Sequence, residues 1–241
     1  MRPVLLVSDL HLSPTRPEVA DVFYRFLATE AREAAALYIL GDLFEYWIGD
    51  DSLVEPFNRQ VADAIAATVA AGTPVYMMHG NRDFLIGKRL AAYTGMTLLP
   101  DPALADIAGT PTLLMHGDTL CTDDHEYQRL RAKLRSRLWQ WTALAMPRAV
   151  REWRAKRGRR LSEQRKQERP AAIMDVNADA VKEAFRAHGY PRMIHGHTHR
   201  PARHVHDVDG HRCERWVLAD WYRHGSYLRC DAEGVRSVAL A

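Results

Sequence analysis

Short apolar runs alternate with polar residues along the chain, and each run ends abruptly in polar residues. Five such runs, rich in valine, leucine, isoleucine and methionine, are bounded by turn-forming residues, which is typical of buried β-strands. They cover residues 4–7, 37–40, 75–78, 113–115 and 193–194. We therefore predict five strands whose carboxyl ends carry polar side chains.

The spacing of apolar residues between the first three runs is helical. It predicts helices over residues 19–35 and 56–71, and alternation of strand, helix and strand predicts an α/β core. Beyond residue 199, short strand-like segments alternate with glycines near residues 204–208, 215–219, 227–230 and 235–240. These segments predict hairpins that belong to a second sheet.

The composition is that of a soluble globular protein. The chain has 241 residues, of which 47% are hydrophobic and 26% charged. Disorder, a collagen-like fibre and a disulfide scaffold are excluded, and the three cysteines are expected to be reduced thiols. No apolar run reaches the length of a secretory signal core or a membrane-spanning helix, so we expect a soluble or peripheral protein.

Positive charge is concentrated in one segment. Residues 129–169 contain 15 lysines and arginines and three acidic residues, which gives +12 locally against +3 for the whole chain and −9 for the remainder. Trp139, Trp141 and Trp153 are interleaved with these arginines. Three interpretations stay open from charge alone: a solvated helical arm, a membrane-surface segment, or a nucleic-acid-binding segment.

The candidate chemistry lies at the five strand ends, which deliver carboxylate, imidazole and amide groups. Asp9 and His11 are two positions apart, so on an extended backbone they point to one side, and Gly41 and Gly80 permit close backbone approach. One such residue is usually a cap or turn residue, but a buried group of carboxylates is unstable without a cation. Nitrogen and oxygen ligands without thiolate suit Mn²⁺, Fe²⁺ or Zn²⁺, and seven ligands predict two bridged ions. The seven are Asp9, His11, Asp42, Asn81, His116, His197 and His199.

These motifs (DxH, GD, GN, HGD and GHxH) resemble, in order and spread, the five blocks of the calcineurin-like metallophosphoesterases. The resemblance implies a four-layer α/β/β/α sandwich formed by residues 1–126 and 170–241, with residues 127–169 as a basic helical cap. Longer stretches, such as SDLHL and YILGDLFEYWIGDD, resemble the UDP-2,3-diacylglucosamine pyrophosphohydrolase family of lipid A biosynthesis.

The resemblance also implies roles for individual residues. One ion, typically Mn²⁺, would be held by Asp9, His11, Asp42 and His199, and a second by Asp42, Asn81, His116 and His197. Substrate contacts would be Asn81, Arg82, Asp124, Ser162, Lys166, Arg169 and His197, and the catalytic residues Asp42, Asn81, Arg82 and His197. Asparagine is common in the family where Lys166 stands, and lysine where Arg169 stands.

The implied reaction is attack of water on the α-phosphorus of UDP-2,3-diacylglucosamine, giving UMP and 2,3-diacylglucosamine 1-phosphate. The enzyme would be a peripheral monomer on the cytoplasmic face of the bacterial inner membrane, with its basic cap on anionic lipid and no nucleic-acid partner. A phosphoesterase acting on nucleic acid or nucleotide phosphodiesters and a metal-stapled membrane adaptor are the alternatives.

Arg82 bears on the leaving group. An arginine cannot act as an acid near neutral pH, so its position favours a leaving group that needs little protonation, such as a phosphate. The alternative is that Arg82 pairs with Asp83 or Asp124. His79 and His195 fall outside the ligand pattern and are interpreted as packing or supporting residues.

Overall fold

Two β-sheets and seven helices make up the described part of the chain. The computed structural model describes residues 2–168, 175–222 and 224–240, with the side chains of 161–168 left out. The strands are β1 Val4–Val7, β2 Ala36–Leu40, β3 Val75–Met78, β4 Thr97–Leu99, β5 Ala103–Ile107, β6 Thr110–Met115, β7 Arg192–His195, β8 Ala202–Val208, β9 His211–Val217, β10 Ser226–Asp231 and β11 Gly234–Ala239. The helices are α1 Pro17–Ala28, α2 Pro56–Ala70, α3 Lys88–Thr94, α4 His125–Arg135, α5 Arg137–Leu144, α6 Arg148–Glu168 and α7 Ala178–Ala187.

The first sheet has the strand order β11-β10-β1-β2-β3-β4, and the second has the order β5-β6-β7-β9-β8. Strands β1 to β4 are parallel, while β10 joins β1 antiparallel and β11 follows as a hairpin. The prediction that every segment beyond residue 199 belongs to a second sheet is therefore wrong for β10 and β11. Leu228 and Cys230 of β10 face the space between the sheets, and Tyr227 faces the helices. Both faces of β10 are therefore apolar, and pairing with β1 in the first sheet buries them both.

Three separate apolar clusters define four layers. One cluster packs α1, α2 and α3 on the first sheet, with Phe23, Phe26 and Ile65 at its centre. A second lies between the sheets, and a third packs Val181 and Phe185 of α7 on the far side of the second sheet. The predicted α/β/β/α sandwich is confirmed, because alternate residues along β1 serve two different clusters, as the pleat of a strand requires.

Predicted helix boundaries agree best at the helix starts, which the sequence marks with proline. Proline occupies the first turn of both α1 and α2, where its missing N–H costs nothing. The first helix ends at Ala28 rather than near residue 35, because a short 3₁₀ turn over Glu30–Glu33 replaces its last turns. The short elements β4, β5 and α3 had no prediction, since their apolar patterns are too brief to detect.

Helices α4, α5 and α6, which we call the three-helix insertion, lie within or beside the predicted segment 127–169. Arg151 of α6 is 8% exposed, and its guanidinium binds the Ile48 carbonyl and the Asp51 carboxylate of the core. Gly49 stands between those two partners with φ 131°, and a Cβ there would lie 2.5 Å from the Arg151 guanidinium. The loop after β2 is thus shaped to receive one arginine from the insertion.

We expect Arg151→Ala to loosen α6 from the core, because it leaves the Ile48 carbonyl and the Asp51 carboxylate without their charged donor. Hydrogen bonds to a charged group contribute about 1.5–3 kcal/mol each, less where a partner is exposed. Limited proteolysis with chymotrypsin should cut the insertion several-fold faster than in the wild-type protein. Arg154→Ala, at an exposed position of the same helix, is the control. Equal cleavage rates in both variants would contradict this anchoring role.

Candidate metal centre

The carboxyl ends of five strands from both sheets meet at one place. Strands β1, β2 and β3 of the first sheet and β6 and β7 of the second each run into one of the predicted polar motifs. Ligands in open α/β sheets bind beyond the carboxyl ends of the strands, and here two sheets supply such an edge. The seven predicted metal ligands, Asp9, His11, Asp42, Asn81, His116, His197 and His199, all follow these strand ends.

Two groups of side chains have the spacing of a metal site. The ligand atoms of Asp9, His11 and His199 lie within 4.8 Å of one another, and so do those of Asp9, Asp42 and His116. His199 Nε2 is 3.3 Å from Asp9 Oδ1, and His11 Nε2 is 3.8 Å from Asp42 Oδ2.

Asn81 joins the remaining two histidines to this group. Its amide oxygen lies 3.1 Å from both His116 Nε2 and His197 Nδ1. All seven side chains are therefore connected by short distances between potential ligand atoms.

The backbone of the site is strained. In the described part of the chain, eight residues other than glycine have positive φ, and five of them are predicted ligands. Left-handed backbone is rare for such residues and persists where the surrounding structure holds it, often at functional sites. The expected extended backbone between Asp9 and His11 is wrong, although the two side chains do converge. The five ligands with positive φ are Asp9, His11, Asp42, His197 and His199.

Two glycines let the loops approach each other. A Cβ at Gly41 would lie 2.5 Å from His116 Nδ1, and a Cβ at Gly80 would overlap Asp42 Oδ1. Both positions were predicted to allow close approach, and any side chain there would displace a predicted ligand.

Burial places strong electrostatic demands on the cluster. Asp9, Asp42 and His116 are each at most 2% exposed. Burial raises the pKa of Asp42 to about 7 although His116 is close by. Burial alone would lower the pKa of His116, but Asp42 and Asp9 outweigh it and raise that pKa to about 9. Protons here compensate charge that a bound cation would compensate instead.

Unpaired polar atoms show that these residues fit a metal ion. Asp9 Oδ1 and both ring nitrogens of His11 are buried and have no hydrogen-bond partner within the described residues. A buried imidazole without any partner is costly, whereas a divalent cation accepts such nitrogen and oxygen donors directly. The donor set, the burial and the unpaired atoms together support divalent metal binding.

Residues 2–201, which include all seven predicted ligands, match a family model described as calcineurin-like phosphoesterase. The chain belongs to this family. Its curated relatives include a protein from Aromatoleum aromaticum named UDP-2,3-diacylglucosamine hydrolase, which is 51% identical over 95% of this chain and 94% of its own. A protein of the same name from Pseudomonas aeruginosa is 48% identical over 98% of both chains.

A solved structure shares this fold. A dimetal phosphatase from Danio rerio superposes with a TM-score of 0.52 over 99% of this chain and 98% of its own, at 16% identity. At that identity the likeness concerns the fold alone.

Among the described residues of this phosphoesterase, no helix has the length and apolar character needed to cross a bilayer.

Supporting residues outside the predicted set orient two of the histidines in this phosphoesterase. Asp220 Oδ2 lies 3.3 Å from His199 Nδ1, and the Leu40 carbonyl lies 2.9 Å from His116 Nδ1. Both contacts direct the opposite nitrogen, Nε2, toward the cluster. Asp220 follows β9, whose end was not recognised as part of the site because no glycine or histidine accompanies it.

Arg82 has a partner that the sequence did not indicate. Its guanidinium lies 2.7 Å from the buried carboxylate of Glu45, while Asp83 accepts the backbone amides of Leu43 and Gly80. Asp124 caps α4 by accepting the Tyr127 amide. Arg82 thus pairs with Glu45, a residue that the sequence analysis did not single out.

The other sequence-based assignments separate into described and undescribed residues. His79 Nε2 is 2.7 Å from the Ile86 carbonyl, and His195 Nε2 is 3.0 Å from the Arg215 guanidinium, so both make hydrogen bonds outside the ligand set. The side chains of Ser162 and Lys166, and all of Arg169, lie outside the described residues.

Helix α4 supports the cluster from the insertion side. Tyr127 stacks on His197 with ring centroids 6.0 Å apart, and its hydroxyl donates to Asp118 Oδ2 over 2.7 Å. Arg131 donates to the same oxygen, and Arg135 donates to the Gly80 carbonyl. The insertion thus contacts the loops after β3, β6 and β7 directly.

We expect Asp220→Asn to weaken metal binding by about 10–100-fold, because residues that orient a metal-binding histidine have effects of that size. The asparagine keeps the shape of the side chain but no longer offers a charged acceptor to His199 Nδ1. Titration calorimetry with Mn²⁺ measures the effect. Asp209→Asn, on the exposed turn between β8 and β9, is the control. An unchanged Mn²⁺ affinity in Asp220→Asn would remove Asp220 from the site.

Proposed function

We propose that this phosphoesterase hydrolyses the pyrophosphate of UDP-2,3-diacylglucosamine. Water would attack the α-phosphorus, so that its oxygen enters UMP and the bridging oxygen leaves with 2,3-diacylglucosamine 1-phosphate. One observation carries the proposal: the predicted metal ligands converge in a chain that matches hydrolases of that name along nearly its whole length. The reaction belongs to lipid A biosynthesis.

The ligand set divides into two groups that share Asp42. The first consists of Asp9, His11, Asp42 and His199, and the second of Asp42, Asn81, His116 and His197. Two divalent ions, which we propose to be Mn²⁺, would lower the pKa of a water molecule and neutralise charge on the phosphate oxygens. All seven ligands come from one chain, and we propose that the protein acts as a monomer.

The residues around these ligands hold the substrate and its charge. Arg82 directly follows Asn81, and its backbone amide donates to Asp42 Oδ1 over 2.8 Å. Its guanidinium suits bidentate binding of a pyrophosphate. The Asn81 amide and the His197 ring add polar contacts beside it. Asp124, Ser162, Lys166 and Arg169 are proposed as further substrate contacts.

The arginine supports an anhydride substrate rather than an alkyl phosphodiester. A phosphate leaving group departs as an anion without needing a proton, and a fixed guanidinium stabilises that anion. An alkoxide leaving group needs an acid, and Arg82 stays charged near neutral pH. This favours the pyrophosphate over the alternative of a nucleic-acid phosphodiester.

The surface of the insertion supports contact with lipid. Leu138 and Trp141, three residues apart on α5, are 73% and 70% exposed, and Trp153 on α6 is 60% exposed. Large exposed apolar side chains beside arginines suit the interface of an anionic membrane. We therefore propose peripheral binding to the cytoplasmic face of the inner membrane through these side chains.

Many arginines of the insertion face the core. Arg131, Arg135, Arg148, Arg151 and Arg159 pair with groups of the core and are not arranged as a free basic track. Trp139 packs against Phe84 with ring centroids 5.9 Å apart and belongs to the same inner surface. This arrangement gives less support to a nucleic-acid-binding segment than the charge of +12 suggested.

We expect Asp42→Asn to lower turnover by about three orders of magnitude while the protein stays folded, because the shared ligand loses its charge. The measurement is UMP release from UDP-2,3-diacylglucosamine with Mn²⁺, alongside a thermal melt and the bound Mn²⁺ content. Asp63→Asn, an exposed carboxylate on α2, is the control. Wild-type turnover in Asp42→Asn would reject the metal assignment. Cleavage of nucleic acid without UMP release from the lipid would reject the substrate.

We expect the double substitution Trp141→Ser and Trp153→Ser to reduce binding to phosphatidylglycerol-containing vesicles by about tenfold or more. Hydrolysis of a short-chain, water-soluble analogue should change little, because both rings point away from the core. Leu104→Ser, an exposed apolar residue on β5, is the control. Equal loss of vesicle binding and hydrolysis would instead place these rings in the substrate site.

A further inference from the structure

Glu45 is a buried carboxylate with no role in the ligand set. It follows β2 in the segment whose Phe44 bridges Leu12, and its amide donates to the Leu12 carbonyl over 3.0 Å. Its side chain is only 2% exposed. A buried carboxylate is costly unless cations and hydrogen bonds compensate it, so its surroundings show what it does.

Three guanidinium groups from separate parts of the chain surround this carboxylate. Arg82 Nη1 lies 2.7 Å from Oε1, Arg16 Nη2 lies 3.3 Å from Oε2, and Arg159 Nε lies 3.4 Å from Oε1. One negative charge faces three positive charges. The guanidinium groups compensate the buried charge of Glu45, and we call the group of Glu45, Arg16, Arg82 and Arg159 the arginine cluster.

Each arginine leads to a different part of the site. Arg16 donates to the carbonyl of His11 over 2.6 Å, and its guanidinium lies 4.6 Å from the Tyr222 ring, which itself stacks on His11. Arg82 is bonded through its amide to Asp42. Arg159 belongs to α6 of the insertion. One carboxylate thus connects both sides of the metal centre with the insertion.

We propose that Glu45 is a positioning residue that fixes the Arg82 guanidinium beside the metal centre and, through Arg159, makes that position depend on α6 being seated on the core. The proposal rests on the proposed function, because Arg82 matters as a group that binds pyrophosphate. An arginine side chain has many rotamers, and holding it in place before the substrate arrives removes an entropic cost from binding and reaction.

The substitution Glu45→Gln tests the charge with little change of shape. We expect kcat for UDP-2,3-diacylglucosamine to fall by about 100-fold, the effect of misplacing a positioned group, with Mn²⁺ binding retained. In the metal-free protein, amide hydrogen exchange of residues 148–160 should become about tenfold faster, because α6 loses the Arg159 contact. Glu45→Asp keeps the charge and should recover part of kcat.

Two further variants separate the two ends of this connection. Glu55→Gln is the matched control, because Glu55 pairs with Arg148 of the same helix without contacting Arg82. It should speed exchange only at the start of α6, near Arg148, and change kcat by no more than about threefold, because the Arg159 contact stays in place. Arg159→Met should lower kcat in part, and adding it to Glu45→Gln should cause little further loss, since both act through one connection.

Several outcomes would overturn the positioning role. The first is a turnover of Glu45→Gln within about twofold of wild type, and the second is a loss of Mn²⁺ binding and thermal stability in Glu45→Gln that parallels its loss of kcat. The third is a double variant in which Arg159→Met lowers kcat by the same factor as it does alone, because the two residues would then act independently. Failure of the proposed function is a separate result. A wild-type protein that leaves UDP-2,3-diacylglucosamine intact would reject the substrate. The positioning role of Glu45 would then still be tested by hydrogen exchange and by turnover of bis(4-nitrophenyl) phosphate in the same variants.

Discussion

The concentration of buried charge where the two sheets meet is the constraint on which the rest of this structure depends. Two carboxylates and two imidazoles that are almost fully buried occupy one small volume, and several of their polar atoms have no hydrogen-bond partner among the described residues. Protein groups alone compensate this charge poorly. A cation compensates this charge well. The buried charge therefore explains both why the site destabilises the protein without metal and why it binds a metal ion.

This constraint acts on the backbone as well as on the side chains. To bring short aspartate and histidine side chains to a common point, the loops at the strand ends must turn sharply, and five ligand residues adopt positive φ. Gly41 and Gly80 then let neighbouring loops come close enough for the ligands to meet. The two packed sheets hold these loops, and the large core is what keeps the strained residues in place.

The sequence predicted those parts of the molecule that have a local signature. Strands such as β1 and β3 and helix α2 followed from periodicity, and the ligands followed from their places at strand ends. The assignment of β10 to the first sheet could not be predicted, because pairing with β1 spans more than 200 residues. Glu45 and Asp220 were missed because each acts on a residue distant in sequence. Glu45 even lies within the stretch YILGDLFEYWIGDD, but nothing local shows that its carboxylate pairs with Arg82.

The three-helix insertion shows why a count of charges is a weak guide to a partner. Its composition suggested a basic surface, yet arginines such as Arg131, Arg151 and Arg159 form ion pairs with the core. The side chains of Trp141 and Trp153, in contrast, face outward. Charge directed inward fixes the position of the helices relative to the metal centre, and apolar rings directed outward suit a lipid surface. The position of such a segment on the core can therefore affect the metal centre. Among the described residues, the buried carboxylate of Glu45 is the group that would connect the two, because it contacts both Arg159 of α6 and Arg82 beside the ligands.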